Sequence, residues 1–274
     1  MTFLEKLEGA TRTNDSLVCV GLDVDPGRIP RRLQDGPDPA FRFNRAIIDA
    51  TKDLVCAYKP NFAFYGAMGL RGWEALIRTV EHVPEGIPVI LDAKVGDIGN
   101  TAERYAHMAY CEVGADALTV NPYMGFDAVA PFLAYPDRCA LLVCLTSNPG
   151  SADLQRLRVD ARPLYRIVAE KAVTWNERGP CGLVVGATHA DELKEVRGVA
   201  SDLPLLIPGV GAQGGDIQAV AHHGTDAKGE RAIVNVSRSV LYASGGDDFA
   251  EAARRETERL RAELNRHRKD KVQG

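Results

Sequence analysis

A (β/α)8 barrel is the fold class that the sequence predicts, and three observations predict it. Short runs of β-branched and apolar residues alternate with longer amphipathic stretches, which is typical of βα units around a parallel sheet. There are eight such runs, each followed by a helical stretch. The length of 274 residues is close to the ~250 residues typical of this barrel. We therefore expect a single barrel domain over residues 1–274.

The apolar runs are short enough to be buried strands and are bounded by polar or turn-forming residues. The predicted strands lie near Val18–Asp23, Cys56–Asn61, Val89–Lys94, Ala117–Asn121, Ala140–Thr146, Gly182–Gly186, Leu205–Ile207 and Ala232–Val236. A doubly wound sheet is the alternative, but no GxGxxG motif follows the first strand to support it.

The stretches between the strands have one apolar face and predict helices. The predicted helices cover about Pro39–Leu54, Ala67–Glu81, Gly99–Val113, Asp127–Leu133, Pro163–Arg178, Ala190–Val199, Gly215–His223 and Asp247–Arg266. The closing stretch Ala250–Lys271 alternates charges at helical spacing, with Leu260 and Leu264 on one face. It predicts a charged C-terminal helix that frays into a short basic tail.

Charge and hydropathy exclude several classes of protein. The net charge is −4, so no global positive field favours nucleic acid. Glu5, Lys6 and Glu8 interrupt any apolar stretch near the N-terminus, which argues against a signal peptide. The longest apolar run, Cys139–Leu145, has seven residues and falls short of the ~20 that span a membrane. We expect a cytoplasmic protein that binds neither nucleic acid nor membrane.

Metal and cofactor motifs are missing from the sequence. The six histidines fall mainly in helical segments, with no HExxH and no Cys/His ligand spacing. The six cysteines contain no CxxC, and most lie in strand-like runs, which predicts reduced thiols in the core. We expect no metal site and no cofactor.

Ionisable residues stand at the ends of the first three predicted strands, where barrels of this kind carry their functional groups. The first strand ends in Asp23, the second in Lys59-Pro60-Asn61, and the third in Asp92-Ala93-Lys94, with Asp97 three residues on. Asp92 and Lys94 are two residues apart and so face the same way, into the barrel mouth beside Lys59. Alternating charges hold a lysine ammonium where it can deliver a proton. The alternative is a salt-bridge network without chemistry.

A glycine-rich loop and an arginine predict a phosphate site across the barrel. The loop after the seventh strand reads Ile207-Pro208-Gly209-Val210-Gly211-Ala212-Gln213-Gly214-Gly215, and Arg238 follows the eighth strand. Barrels recurrently bind phosphate at these two loops, because glycines let backbone N–H groups approach an oxyanion. Arg238 would add a bidentate charge. The alternative is a tight loop beside a surface arginine.

Ser147 ends the fifth predicted strand, in Thr146-Ser147-Asn148-Pro149-Gly150. A hydroxyl and an amide fixed by a Pro-Gly turn suit recognition of a heterocycle edge. No GxSxG surrounds Ser147 and no histidine stands at a neighbouring strand end, so hydrolase chemistry is disfavoured.

The combination of these motifs resembles the orotidine 5′-phosphate decarboxylase family over about residues 17–243. The resemblance is carried by Asp92-Ala93-Lys94-Val95-Gly96-Asp97-Ile98, with Asp23 and Lys59 upstream and Ser147, Gln213 and Arg238 downstream. Its longer bacterial branch is suggested by Tyr58-Lys59-Pro60-Asn61-Phe62-Ala63-Phe64-Tyr65 and Gly96-Asp97-Ile98-Gly99-Asn100-Thr101.

The resemblance implies conversion of orotidine 5′-phosphate (OMP) to UMP and CO₂, the last step of de novo UMP synthesis, without metal or organic cofactor. It implies that Lys94 donates the proton to C6 and that Asp92 lies against the departing carboxylate. Lys59 and Asp97 would complete the charged array, and Lys59 and Asp23 would contact the ribose.

The resemblance also implies a homodimer with shared sites, in which Asp97, Ile98 and Thr101 reach the partner's site. The remaining substrate contacts implied by the family are Ser147 at the pyrimidine edge, Gln213 between base and phosphate, and Pro208, the loop amides and Arg238 around the phosphate.

Two other functions remain open at this stage. A Mg²⁺-dependent decarboxylase or aldolase acting on a sugar phosphate would share the DxKxxD motif, but such enzymes carry an acidic metal ligand where Lys59 stands. A barrel that only binds nucleotides would keep Gln213 and Arg238, yet would have no need of Lys94 between Asp92 and Asp97.

Overall fold

The computed structural model describes residues 1–188, 190–210 and 215–273, and side chains as far as residue 268. Eight parallel strands form one sheet in the described chain. They are β1 (Val18–Gly21), β2 (Ala57–Lys59), β3 (Ile90–Val95), β4 (Ala117–Val120), β5 (Cys139–Leu145), β6 (Cys181–Val185), β7 (Leu205–Pro208) and β8 (Ala232–Val236). Their order is β2-β1-β8-β7-β6-β5-β4-β3. Single bridges from Tyr58 to Val89 and from Asn61 to Asp92 join the two edge strands. The predicted barrel is confirmed.

Helices connect the strands, and twelve α-helices lie within the described residues. They are α1 (Phe3–Thr13), α2 (Arg31–Gln34), α3 (Pro39–Thr51), α4 (Phe62–Gly66), α5 (Leu70–His82), α6 (Gly99–His107), α7 (Phe126–Leu133), α8 (Leu164–Trp175), α9 (Ala190–Val199), α10 (Ile217–Gly224), α11 (Arg238–Leu241) and α12 (Phe249–Gln273). Short 3₁₀ turns lie at Pro26–Arg28, Pro122–Met124 and Pro149–Asp153. A two-stranded hairpin pairs Arg158–Val159 with Arg162–Pro163.

Helix α1 was missing from the sequence-based expectation. Its start is a capping box, in which the Thr2 hydroxyl accepts from the Glu5 backbone and the Glu5 carboxylate accepts from the Thr2 backbone. Phe3 and Leu7 are buried in a cluster with interior residues of all eight strands. Helix α1 therefore closes the amino-terminal end of the barrel, so any site must open at the other end.

Several predicted helix boundaries were wrong, including the following three. The stretch Gly99–Val113 is split, because α6 ends at His107 and a π-helical turn follows at Met108–Glu112. The predicted helix over Ala67–Glu81 begins later, at Leu70, after the positive φ of Gly69. At the C-terminus, α12 continues to Gln273 through the segment expected to fray, and Arg268 pairs with Asp15.

The alternation of side chains along each strand divides the apolar core in two. On β8, Ile233 joins the cluster inside the barrel, whereas Val234 packs in the outer layer between strands and helices. All six cysteines are free thiols, and five of them are buried, as predicted. Within the described residues, no helix is long and apolar enough to cross a membrane.

Candidate active site

A cavity of about 170 Å³ opens at the carboxyl ends of the strands. Four charged side chains form one wall of it: Asp23 after β1, Lys59 at the end of β2, and Asp92 and Lys94 on β3. They project inward because the side-chain period of a strand is two. Inside the barrel Ile90 precedes Asp92 and Ala57 precedes Lys59. The structure thus brings together four of the residues predicted from the sequence.

The four charges alternate in sign and contact one another. Lys59 Nζ lies 2.9 Å from Asp92 Oδ2 and 3.9 Å from Asp23 Oδ1. Lys94 Nζ lies 2.6 Å from the other carboxylate oxygen of Asp92, Oδ1. The side chain of Lys59 is 3 % exposed and that of Lys94 is 46 % exposed. The buried lysine therefore anchors the array, and the accessible lysine faces the space that a ligand would enter.

The array keeps Asp92 and Lys59 ionised despite their burial. Burial acts to raise the pKa of Asp92, but the ammonium groups of Lys59 and Lys94 outweigh it and hold the pKa well below its usual range. Burial likewise acts to lower the pKa of Lys59, yet the carboxylates of Asp92 and Asp23 leave that pKa raised. Each ion is thus stabilised by partners of opposite charge rather than by water.

Strand β3 is irregular where it carries Lys94. The pairing with β4 runs Leu91 to Leu118 and then Val95 to Val120, so three residues of β3 oppose one residue of β4. Lys94 has a φ of +47°, in the left-handed region that non-glycine residues rarely adopt. The prediction that Asp92 and Lys94 share a face is confirmed, but a bulge rather than a regular strand produces it.

The opposite wall is formed by residues at and just beyond the ends of β7 and β8. Pro208, Gly209 and Val210 line it with Ser237 and Arg238, and Arg238 is exposed. Ser237 lies close to β1, because a Cβ on Gly21 would stand 2.0 Å from the Ser237 hydroxyl oxygen. Gln213, predicted to bridge base and phosphate, lies outside the described residues.

Four predicted site residues do not line the cavity. Ser147 is half-buried at the end of β5, where its backbone lies so close to Gly186 that a Cβ there would stand 2.9 Å from Ser147 N. Asp97, Ile98 and Thr101 lie outside the cavity of their own chain. The Asp97 carboxylate accepts a hydrogen bond from the Ile98 backbone, and the Ile98 side chain and Thr101 are exposed.

Sequence reasoning missed two polar residues at the site. Asn235 lines the cavity from β8, with its amide 3.4 Å from the Ser237 hydroxyl. Thr119 on β4 contacts Asp92. Both stand inside apolar runs, AIVNV and ALTV, and a lone polar residue in a predicted buried strand was the available signal. Among the described side chains, no group of three or more His, Cys, Asp or Glu is arranged to hold a metal ion.

Comparison with known proteins identifies the family. The model of the orotidine 5′-phosphate decarboxylase / HUMPS family matches residues 16–255. The chain is similar to orotidine 5′-phosphate decarboxylase of Cupriavidus necator, with 52 % identity over 270 residues that cover 98 % of this chain and 99 % of the relative.

Solved structures agree with the sequence comparison. The fold is similar to Leishmania donovani OMP decarboxylase, with a TM-score of 0.84 and 41 % identity over 96 % of this chain and 99 % of that one. It is also similar to Leishmania donovani UMP synthase, with a TM-score of 0.86 and 42 % identity over 96 % of this chain, but it spans only 57 % of that longer chain. The chain belongs to the orotidine 5′-phosphate decarboxylase / HUMPS family.

Proposed function

We propose that this chain converts OMP to UMP and CO₂, the last step of UMP biosynthesis, with Lys94 as the proton donor. The observation that carries the proposal is the contact of 2.6 Å between Lys94 Nζ and Asp92 Oδ1 at the mouth of the cavity. An accessible ammonium held in a fixed position by a buried carboxylate is suited to deliver a proton to a substrate atom.

The reaction breaks the bond between C6 of the pyrimidine and its carboxylate. CO₂ leaves, the electron pair stays on C6, and the Lys94 ammonium transfers a proton to that carbon. Lys94 then regains a proton from water. Negative charge develops on C6 only as the bond breaks, so a cation beside C6 stabilises the transition state more than the ground state. Asp92 would lie against the departing carboxylate.

The rest of the array would hold the ribose. Asp23 Oδ1 is buried and accepts no hydrogen bond from any described residue, so it is free to accept one from a ribose hydroxyl. Lys59 Nζ, 3.9 Å from that oxygen, would contact the ribose as well. The remaining roles are those that the family resemblance implies for Ser147, Pro208, Gln213 and Arg238.

The active unit would be a homodimer whose sites each use both chains. Asp97, Ile98 and Thr101 would complete the partner's site, which agrees with their position outside the cavity of their own chain. Apolar side chains exposed on the same side of the barrel support a protein contact, since Ile98 is 55 % and Tyr123 76 % exposed. In a two-fold dimer the same patch serves both chains.

Measuring UMP formation from OMP, with and without EDTA, tests the reaction. We expect full activity in EDTA. Activity that EDTA abolishes would favour the Mg²⁺-dependent relatives, and binding of UMP without turnover would favour a barrel that only binds nucleotides. We also place the reaction in the cytoplasm, where the six free thiols would remain reduced, and the net charge of −4 argues against a nucleic-acid partner.

Complementation between two inactive variants tests the shared sites. Lys94→Ala and Asp97→Ala chains, unfolded and refolded together, should form heterodimers in which one site carries both lesions and the other carries neither. With random exchange about half of the dimers are mixed, so roughly a quarter of all sites should regain activity. Each variant refolded alone is the control. No recovery in heterodimers demonstrated by differential tagging would mean that Asp97 acts within its own chain.

A further inference from the structure

A single hydroxyl on β4 connects the bulge of β3 to the charged array. Thr119 is fully buried and faces Asp92-Ala93-Lys94, the three residues that oppose it in the shifted register. Its Oγ1 lies 2.9 Å from the backbone nitrogen of Ala93 and 2.9 Å from that of Lys94. The same hydroxyl lies 3.0 Å from Asp92 Oδ1.

These contacts use the full hydrogen-bonding capacity of the hydroxyl. Its two lone pairs accept the two backbone N–H groups, and its one proton goes to the Asp92 carboxylate. The bulge takes both N–H groups out of register with the carbonyls of β4. Without the Thr119 hydroxyl, these two partly buried N–H groups would lose their acceptor. The hydroxyl therefore stabilises a backbone shape that a regular strand pairing does not provide.

The backbone shape in turn sets the position of the Lys94 ammonium. Lys94 holds a φ of +47°, a conformation that is unfavourable for a side chain with a Cβ and persists only where its surroundings enforce it. From that backbone the side chain reaches Asp92 Oδ1, the oxygen to which Thr119 donates. Thr119 thus acts at both ends of Lys94, on its backbone nitrogen and on the carboxylate that holds its ammonium.

We propose that Thr119 is a positioning residue for proton delivery by Lys94, because its hydroxyl fixes the bulge and orients the Asp92 carboxylate. The inference rests on the proposed decarboxylation and adds a residue outside the cavity to its machinery. Thr119 is fully buried and does not line the cavity. Its removal should therefore lower kcat and leave nucleotide binding nearly intact.

Three variants test this role through kinetics. Thr119→Val keeps the shape and removes the hydroxyl, and Thr119→Ser keeps the hydroxyl. Thr257→Val is the matched control, since Thr257 is equally buried and its hydroxyl donates to the Ala253 carbonyl on α12. We expect Thr119→Val to lower kcat about 10- to 100-fold, as small misplacements of catalytic groups do. Thr119→Ser should retain most of the activity and Thr257→Val all of it.

The affinity for UMP separates positioning from general damage. Calorimetric titration should give nearly the same Kd for UMP in Thr119→Val as in the wild type. Equal kcat in Thr119→Val and the wild type would overturn the proposal, and so would a loss of UMP affinity as large as the loss of kcat. If Thr119→Val does not fold, Thr119→Cys replaces it, because a thiol is a weak acceptor of similar size.

Chemical labelling measures the reactivity of the Lys94 side chain independently of turnover. Competitive labelling with acetic anhydride, quantified by mass spectrometry, compares Lys94 with the exposed Lys171. Loosening the contact with Asp92 should make Lys94 label several-fold faster in Thr119→Val and leave it unchanged in Thr119→Ser. Unchanged labelling in Thr119→Val refutes the positioning role, even in a protein that turns over OMP. A wild type that fails to form UMP refutes the proposed function, and labelling still decides the role of Thr119.

Discussion

The two walls of the cavity are built on opposite principles. On the β1–β3 side, charges stand on strand ends and are paired with one another, so that the side chains of Lys59 and Asp92 are only 3 % and 10 % exposed. On the β7–β8 side, Arg238 is the first residue of the short helix α11, is exposed, and forms no ion pair with any described residue.

The difference follows from what each wall has to do. A group that stabilises charge developing in a reaction is most effective when it is already oriented and shielded from water. A group that captures a phosphate must be reachable from solvent, and it gains its partner only on binding. The first wall should therefore account for turnover and for part of the stability, and the second for affinity.

The largest effect should come from Lys94→Ala. Loss of the proton donor should lower kcat by ~10²–10⁴-fold while the fold is retained, because general acid groups contribute that much. The rate of UMP formation and the circular dichroism spectrum check both parts. Lys171→Ala, which removes an exposed lysine on α8, is the control. A Lys94→Ala enzyme that keeps most of its kcat would assign the proton transfer to another group.

The substitution Asp92→Asn should show that the paired charges on the β1–β3 side also stabilise the fold. Removing one partner leaves the buried Lys59 ammonium poorly compensated, which should lower the free energy of unfolding by about 3 kcal/mol near neutral pH. Because the pKa of Asp92 in the folded state lies below its ordinary value of 3.8, the ionised pair stabilises the fold above that pH. Its contribution is lost as the pH falls further, toward the folded-state pKa.

Urea unfolding over a range of pH measures this effect. The difference in the free energy of unfolding between the wild type and Asp92→Asn should be constant near neutral pH and should become smaller only in strong acid. Arg238→Ala, on the β7–β8 side, should change the free energy of unfolding by no more than about 0.5 kcal/mol. If the two substitutions lower the free energy of unfolding equally, the two walls do not differ in their contribution to stability.

The smallest effect on catalysis should come from Arg238→Ala. It should appear with OMP and not with a substrate that lacks the phosphate. Loss of a charged hydrogen bond to the phosphate is worth about 1.5–3 kcal/mol, or roughly 10- to 100-fold in kcat/KM for OMP. Orotidine, which lacks the phosphate, should react equally well with the variant and the wild type. An equal loss with both substrates would mean that Arg238 supports the structure and that the phosphate binds elsewhere.

The strand register explains why the charged residues of the β1–β3 wall were predictable and why the positions of other candidate site residues were less so. Asp92, Lys59 and Asp23 stand at strand ends, and the period of two places them inside the barrel wherever the strands form. Asp97 and Ile98 lie between β3 and α6, where no periodicity fixes the direction of a side chain. The part of the chain that contains Gln213 is outside the described residues, so its role stays a prediction.

Composition and periodicity by themselves determined the barrel, the eight strands and the end of the barrel that carries the charges. These are local properties, since burial of alternate side chains and of one helix face can be read from neighbours in the chain. Only the tertiary structure decided the bulge in β3, the left-handed Lys94 and the contacts of Thr119. They arise from hydrogen bonds between residues 25 to 27 positions apart, and such pairings depend on which strands become neighbours rather than on the sequence of either one.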